Sequence, residues 1–189
     1  MSEETPEEIE MFVAGLVLDP ASNAPIVVLK DVSGETCLPI WIGLAEATAI
    51  ASALKQVELA RPMTHDLLCD VIDELGGRVV KVIVTELQEN TFIANLEIVV
   101  GDVVRVIDAR PSDAIAVAVR TNAQIMVRAE VLEQAQVTLV AVSTEDGEEE
   151  YEVAGGDEDR ERKNFANIDK EKWAEILAEM DPDDFKYKM

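Results

Sequence analysis

The chain has 189 residues, 48% hydrophobic and 29% charged, enough to bury one substantial core and leave a tail, but short for two full domains. Its formal charge is −23, and every section is acidic: residues 1–10 carry five acids and no base, 11–144 carry 17 acids against 9 bases, and 145–189 carry 17 against 7. A basic face that grips nucleic acid by neutralising many phosphates is thereby excluded, so any phosphodiester chemistry has to rest on bound cations or a few placed arginines.

Aromatic residues make up only 4%, which leaves little surface for stacking bases and gives the core to Val, Ile, Leu and Ala. Cys37 and Cys69 lie far apart in apolar contexts, without the spacing of a zinc knuckle or a disulfide framework, and read as buried free thiols. The acidic opening Ser2-Glu3-Glu4-Thr5-Pro6-Glu7-Glu8 is the opposite of a secretory signal, so a cytoplasmic location is expected. No apolar run approaches the roughly 18–20 residues that span a bilayer, and no membrane association is expected.

In chain order, Met11 to Leu18, Pro25 to Val32 and Thr36 to Ile42 read as strands separated by the turn clusters Asp19-Pro20-Ala21-Ser22-Asn23 and Ser33-Gly34-Glu35. Leu44 to Gln56 is Ala-rich and helical in composition. After Arg61-Pro62 a second helix follows, in which Leu67, Leu68, Val71, Ile72 and Leu75 form one apolar face, stopped by Gly76-Gly77. Three further strands are predicted at Arg78 to Leu87, Thr91 to Val100 and Asp102 to Asp108. Then come a helix over Pro111 to Arg120, an extended piece at Gln124 to Val127, a brief helix near Glu130 to Gln134 and a strand at Val137 to Val142. The order of three strands then two helices recurs, which predicts an α+β domain over residues 10–143, a duplicated three-strand/two-helix motif with an antiparallel or mixed sheet and helices packed on it. The acidic stretch 144–167 reads as a linker or flap. Residues 168–189, with Ile168, Trp173, Ile176, Leu177 and Met180 on one side, read as a short amphipathic helix and tail that needs a docking surface.

The densest polar group is Asp108-Ala-Arg-Pro-Ser-Asp113, at a helix start. Pro111 pre-sets the first turn, and Ser112 or Asp113 can accept from its free amides. A second Ala-Arg-Pro, at Ala60-Arg61-Pro62, leads into Thr64-His65-Asp66. In the functional reading, Asp108 and Asp113, with Glu46, are hard oxygen ligands for Mg²⁺ or Mn²⁺, while Arg61 and Arg110 hold phosphate in their planar forks. In the structural reading, Arg110 pairs with an acid and Asp113 complements the helix dipole. His65 is the single histidine, so mechanisms needing two histidines and multi-histidine metal sites fail. It remains a general acid or base near Arg61, or a hydrogen-bonded residue at a helix N-terminus. No phosphate-binding glycine loop and no nucleophile elbow is present.

Leu38-Pro39-Ile40-Trp41-Ile42-Gly43 with Glu46-Ala47, Arg61-Pro62-Met63-Thr64-His65-Asp66-Leu67-Leu68, Thr91-Phe92-Ile93-Ala94 and Asp108-Ala109-Arg110-Pro111-Ser112-Asp113-Ala114-Ile115-Ala116 resemble, in order, the motifs of the bifunctional nuclease domain family. The resemblance implies a nuclease acting on RNA and DNA, a compact duplicated α+β domain and a homodimer or higher homo-oligomer. Carried over by motif, it marks Glu46, Arg61, His65, Asp108, Arg110, Ser112 and Asp113 as the residues to test. On this reading His65, Asp108, Ser112 and Asp113 are catalytic, Arg61 and Arg110 bind the substrate phosphate, and Glu46, Asp108 and Asp113 hold a divalent metal. The alternative is an oligomeric binding module that senses a small anionic ligand through Arg61 and Arg110 without catalysis.

Overall fold

A computed structural model describes residues 6–19, 22–57 and 59–135 in full, and the backbone of the strands at 137–143, 149–154 and 164–165. Strands β1 (Glu8–Leu18), β2 (Pro25–Asp31) and β3 (Thr36–Trp41) form an antiparallel meander followed by helices α1 (Leu44–Leu54) and α2 (Thr64–Glu74). A second meander, β4 (Gly77–Gln88), β5 (Thr91–Val100) and β6 (Val103–Ala109), is followed by helix α3 (Pro111–Thr121), strand β7 (Gln124–Arg128) and helix α4 (Ala129–Ala135). Strands β8 (Val137–Ser143), β9 (Glu149–Ala154) and β10 (Asn164–Phe165) extend the sheet, whose order is β10-β9-β8-β3-β2-β1-β7-β4-β5-β6.

The fold is α+β with a mixed sheet, and the three-strand meander followed by a helix occurs twice. The second copy departs from strict repetition because β7 intervenes between α3 and α4. That strand joins the halves, pairing antiparallel with β1 on one side and parallel with β4 on the other. β9 and β10 fall inside the stretch expected as a linker; the rest of that stretch, and the helix expected over 168–189, lie outside the described residues.

The turns follow the chemistry of their residues. Glu89 and Asn90 both adopt positive φ between β4 and β5, as a two-residue hairpin with right-handed strand twist requires, and Gly101 does so between β5 and β6. Gly76, at φ +73°, ends α2. In β1 the register shifts between Val13 and Gly15, so Met11 and Leu16, an odd number of residues apart, both reach the core.

Helix α3 lies at the centre. Ala114, Ile115, Ala116, Val117 and Ala118 are all buried, so this helix is enclosed on most sides, and its alanines let the sheet, α1 and α2 approach closely. Helix α2 departs from expectation. None of its residues is fully buried, and Leu67, Leu68, Val71 and Leu75 of the predicted apolar face are exposed; only Cys69 and Ile72 pack against the core.

Candidate functional site

Three helices begin at one place. Glu46, Asp66 and Asp113 each stand in the first turn of α1, α2 and α3, where a carboxylate is favoured by the positive end of the helix dipole. Packing of α1 and α2 against α3 then brings the side chains of the first and last turns together.

Arg110, the N-cap residue of α3, connects them. Its Nε donates to Asp113 Oδ2 at 2.7 Å and one terminal nitrogen donates to Asp113 Oδ1 at 3.1 Å, a bidentate fork. The other terminal nitrogen donates to Glu46 Oε1 at 2.9 Å, 64 residues away in sequence. His65, the second residue of α2, places Nε2 3.1 Å from the same Asp113 Oδ1. The four residues differ in exposure: the His65 side chain is 14% accessible and that of Arg110 65%. Three of the five guanidinium N–H groups are occupied, so two remain on a group that faces water.

Burial opposes ionisation of Asp113, but hydrogen bonds from Arg110 and His65, together with their charge, outweigh it and hold the carboxyl below the ordinary carboxylate range. Arg110 is raised in turn by its hydrogen bonds and charge interaction with Asp113, reinforced by Glu46. Gly43 contributes by lacking a side chain. A Cβ there would collide with Glu46 Oε2, so glycine lets the carboxylate fold back over the N-cap of its own helix while bonding Arg110.

The structure therefore brings Glu46, His65, Arg110 and Asp113 together, and separates them from other expected site residues. Asp108 pairs with Asn95 across β5 and β6, one position before Ala109, which pairs with the core residue Ala94. Because side chains alternate along a strand, Asp108 lies on the sheet face away from the helices, where it is exposed. Ser112 is buried. Neither it nor Asp113 caps α3, since no side-chain cap bond is made and both Asp113 oxygens are engaged by Arg110 and His65. Arg61 is exposed in the turn four residues before His65, and no bond ties it to the described residues.

This donor set does not fit the expected three-carboxylate metal site. Asp108 is on the other face, no three His, Cys, Asp or Glu side chains converge as a metal cage among the described residues, and the Arg110 guanidinium already bridges Glu46 and Asp113.

One residue of the region escaped sequence reasoning. Arg120, in the last turn of α3 and 9% accessible, donates from Nε to Asp66 Oδ1 at 2.5 Å and from one terminal nitrogen to the carbonyls of Ala49 and Ala116 at 2.9 Å each. Asp66 Oδ2 in turn accepts from the Met63 amide at 2.9 Å, so Arg120 ties α1 and α3 to the start of α2 and fixes the turn that presents His65. Its only signal in sequence was a basic residue at a helix C-terminus.

No helix among the described residues is long and apolar enough to cross a membrane. Comparison with known proteins places the chain beside nucleases. Residues 27–140 match the model of the bifunctional nuclease domain. An uncharacterized protein of Mycobacterium tuberculosis is 37% identical over 177 residues, 94% of this chain and 98% of its own length. Bifunctional nuclease 2 of Oryza sativa subsp. japonica is 35% identical over 117 residues, 60% of this chain and 36% of the plant protein, and Bifunctional nuclease 1 of Arabidopsis thaliana is 33% identical over 107 residues, 54% and 33%. The matched segment contains the whole Glu46–His65–Arg110–Asp113 cluster, and on these grounds the chain belongs to the bifunctional nuclease domain family.

Proposed function

We propose that this protein hydrolyses phosphodiester bonds of RNA or DNA at the cluster of Glu46, His65, Arg110 and Asp113. The observation that carries the reading is the His65–Asp113 contact beside a guanidinium that is fixed by two carboxylates and still has two N–H groups to give. With Nε2–H donated to Asp113, neutral His65 has Nδ1 as the basic nitrogen, able to take a proton from water as that oxygen attacks phosphorus; one ester P–O bond breaks, and the leaving ribose oxygen takes up a proton from solvent. Asp113 holds the ring's tautomer and stabilises the imidazolium that forms. Arg110 binds a non-bridging phosphate oxygen and meets the negative charge that builds there, with Arg61, four residues before His65, as a further phosphate contact. Glu46 positions Arg110.

A divalent cation enters this proposal only as a competitor for the place of Arg110. Mg²⁺ or Mn²⁺ on Glu46 and Asp113 requires the guanidinium to swing out onto the substrate, after which the ion's other ligands would be water and phosphate. The test uses the full purified chain with labelled single-stranded RNA and DNA, in EDTA and with each metal. Cleavage that His65→Gln and Asp113→Asn abolish at unchanged fold supports the reading; cleavage in EDTA assigns the positive charge to Arg110, and a strict metal requirement assigns it to the ion. Variants that cut as well as the parent refute it.

A second reading is favoured by one observation, the acidity of residues 11–144, which disfavours a long polyanion but not a small one. In that case phosphate or a mononucleotide raises the melting temperature, Arg110→Ala removes the effect, and no strand is cut.

A further inference from the structure

Between the ends of α1 and α3 and the start of α2 lies a cleft of about 390 Å³, the size of a small-molecule site, which shares no residue with the Glu46–His65–Arg110–Asp113 cluster. Asp113 of the cluster and Arg120 of the cleft lie two turns apart on α3, about 10 Å along the helix. Ala53, Val57, Leu59 and Val119 give the cleft apolar walls, and Ser52, Gln56, Asp66, Arg120 and Asn122 give it polar ones. Three of these polar groups retain hydrogen-bonding capacity. Arg120 is nine-tenths buried, and its bonds to Asp66, to Ser52 and to the Ala49 and Ala116 carbonyls engage four of its five N–H groups, leaving one. The side-chain amides of Gln56 and Asn122 bond no other described residue, and each carries a donor beside an acceptor.

Charge selects the class of ligand. The cleft is built on the C-terminal, negative ends of α1 and α3; no basic residue stands in the last turn of α1, and Arg120 in that of α3 is paired with Asp66. Lys55, the C-cap of α1, does not line it. An anion is disfavoured there, and a neutral ligand with N–H groups of its own is favoured. Amides between apolar walls match a heteroaromatic ring whose edge carries an amine beside a ring nitrogen, as Asn and Gln match the N6/N7 edge of adenine, and the remaining N–H of Arg120 suits a further ring nitrogen. We propose that this cleft binds a nucleobase bearing an exocyclic amine, with adenine as the type, carried either by a free nucleoside or by a strand held at the neighbouring cluster. Binding of the free nucleoside does not depend on the proposed cleavage, since its readout is the heat of association.

The test is titration calorimetry of the full chain with adenosine, adenosine 5′-monophosphate and a deoxyadenylate trimer joined by nuclease-resistant phosphorothioate linkages. Adenosine is expected to bind, and the monophosphate to bind about threefold more weakly or worse, because its phosphate meets the two helix ends. A trimer that binds more tightly than adenosine assigns the cleft to a strand, and one that binds more weakly assigns it to the free nucleoside. Gln56 and Asn122 both stand at positive φ, 51° and 52°, which glycine adopts without strain, so Gln56→Gly and Asn122→Gly remove the amides and leave the turns intact. Each is expected to weaken adenosine about fivefold or more. Ala53→Leu, a change between two good helix formers, fills the cleft and is expected to weaken adenosine at least about tenfold. Melting temperatures of the three variants check that each is folded. A parent that gives no heat with adenosine at millimolar concentration overturns the proposal. So does a monophosphate that binds more tightly than adenosine, or a set of folded variants that bind as the parent does.

Discussion

His65 Nε2 and Asp113 Oδ1 lie 3.1 Å apart although 48 residues separate them, and Asp113 meets Arg110 through both of its oxygens. The charged form of Asp113 is the one these partners stabilise, which fixes the sign of its pH dependence. A carboxyl whose folded pKa is depressed contributes stability that is present above its unfolded value, near 3.8, and is lost as pH falls through the folded value below it. Asp113→Asn therefore destabilises the protein at neutral pH, and the gap from the parent closes as pH falls below about 4. Urea midpoints of both proteins across this range measure it. A gap that stays constant with pH would show that the contacts act through shape rather than charge.

Gly43 offers a test of the other end of the network. Its φ of −79° is one that alanine adopts without strain, so Gly43→Ala, by narrowing the unfolded ensemble, is expected to stabilise by about 0.4–1 kcal/mol where the new methyl has room. In the parent there is no room, because Glu46 Oε2 occupies that space while Oε1 bonds Arg110. The substitution is expected to destabilise the parent by about 0.5–1 kcal/mol and to become neutral or stabilising in a Glu46→Ala background. Urea unfolding of the four proteins gives both values, and an effect of the same sign in both backgrounds would separate Gly43 from the network.

Much of this site was legible in the chain. The two Ala-Arg-Pro turns announced two helix starts, and Pro111 does occupy the first position of α3. What the residue order cannot carry is which side chains share a face across 40 or more positions. Asp108 stands five residues from Asp113 and belongs with it on paper, but one strand parity sends it to the opposite side of the sheet. Arg120 looked like an ordinary helix end because its acceptors come from α1 and α2, elements whose packing the sequence does not display. The apolar stripe of α2 is legible as a stripe. Its direction is not, since the same periodicity describes a helix whose stripe faces a core and one whose stripe faces outward, as Leu67, Val71 and Leu75 do.

The two thiols provide an independent check on packing. Burial pushes both Cys37 and Cys69 above the ordinary thiol range, with Asp31 adding to the effect at Cys37 and Lys30 and Arg120 opposing it at the two sites. Cys37 has no accessible surface. Near pH 8, a disulfide reagent is expected to leave Cys37 unmodified in the native protein and to react with Cys69 slowly, while both react at once in urea. Rapid modification of Cys37 in the native state would mean that the second small core, formed with Val17, Ile26 and Val28, opens readily.

Arg120 carries the sharpest stability prediction, because it is nearly enclosed and its acceptors belong to three helices. Arg120→Met keeps the bulk of the side chain but removes the partner of Asp66 and the bonds to the Ala49 and Ala116 carbonyls, of which Ala49 retains the Ser52 hydroxyl. Asp66 is about one-third exposed and recovers some hydration, so the expected loss is about 2–3 kcal/mol, below that of a fully buried broken pair. For a chain of this size that lowers the melting temperature by about 4–12 °C. Arg120→Lys should fall between, since an ammonium cannot match a planar fork aimed at three acceptors. The pH dependence separates charge from packing. Burial tends to raise Asp66, but hydrogen bonds from Arg120 and Met63 hold it below its usual value. The parent thus gains stability above pH 3.8 that is lost as pH falls through the depressed value, and Arg120→Met should lose most of that gain. If the variant melted with the parent at neutral pH, the start of α2, and with it the placement of His65, would have to be held by something other than this arginine.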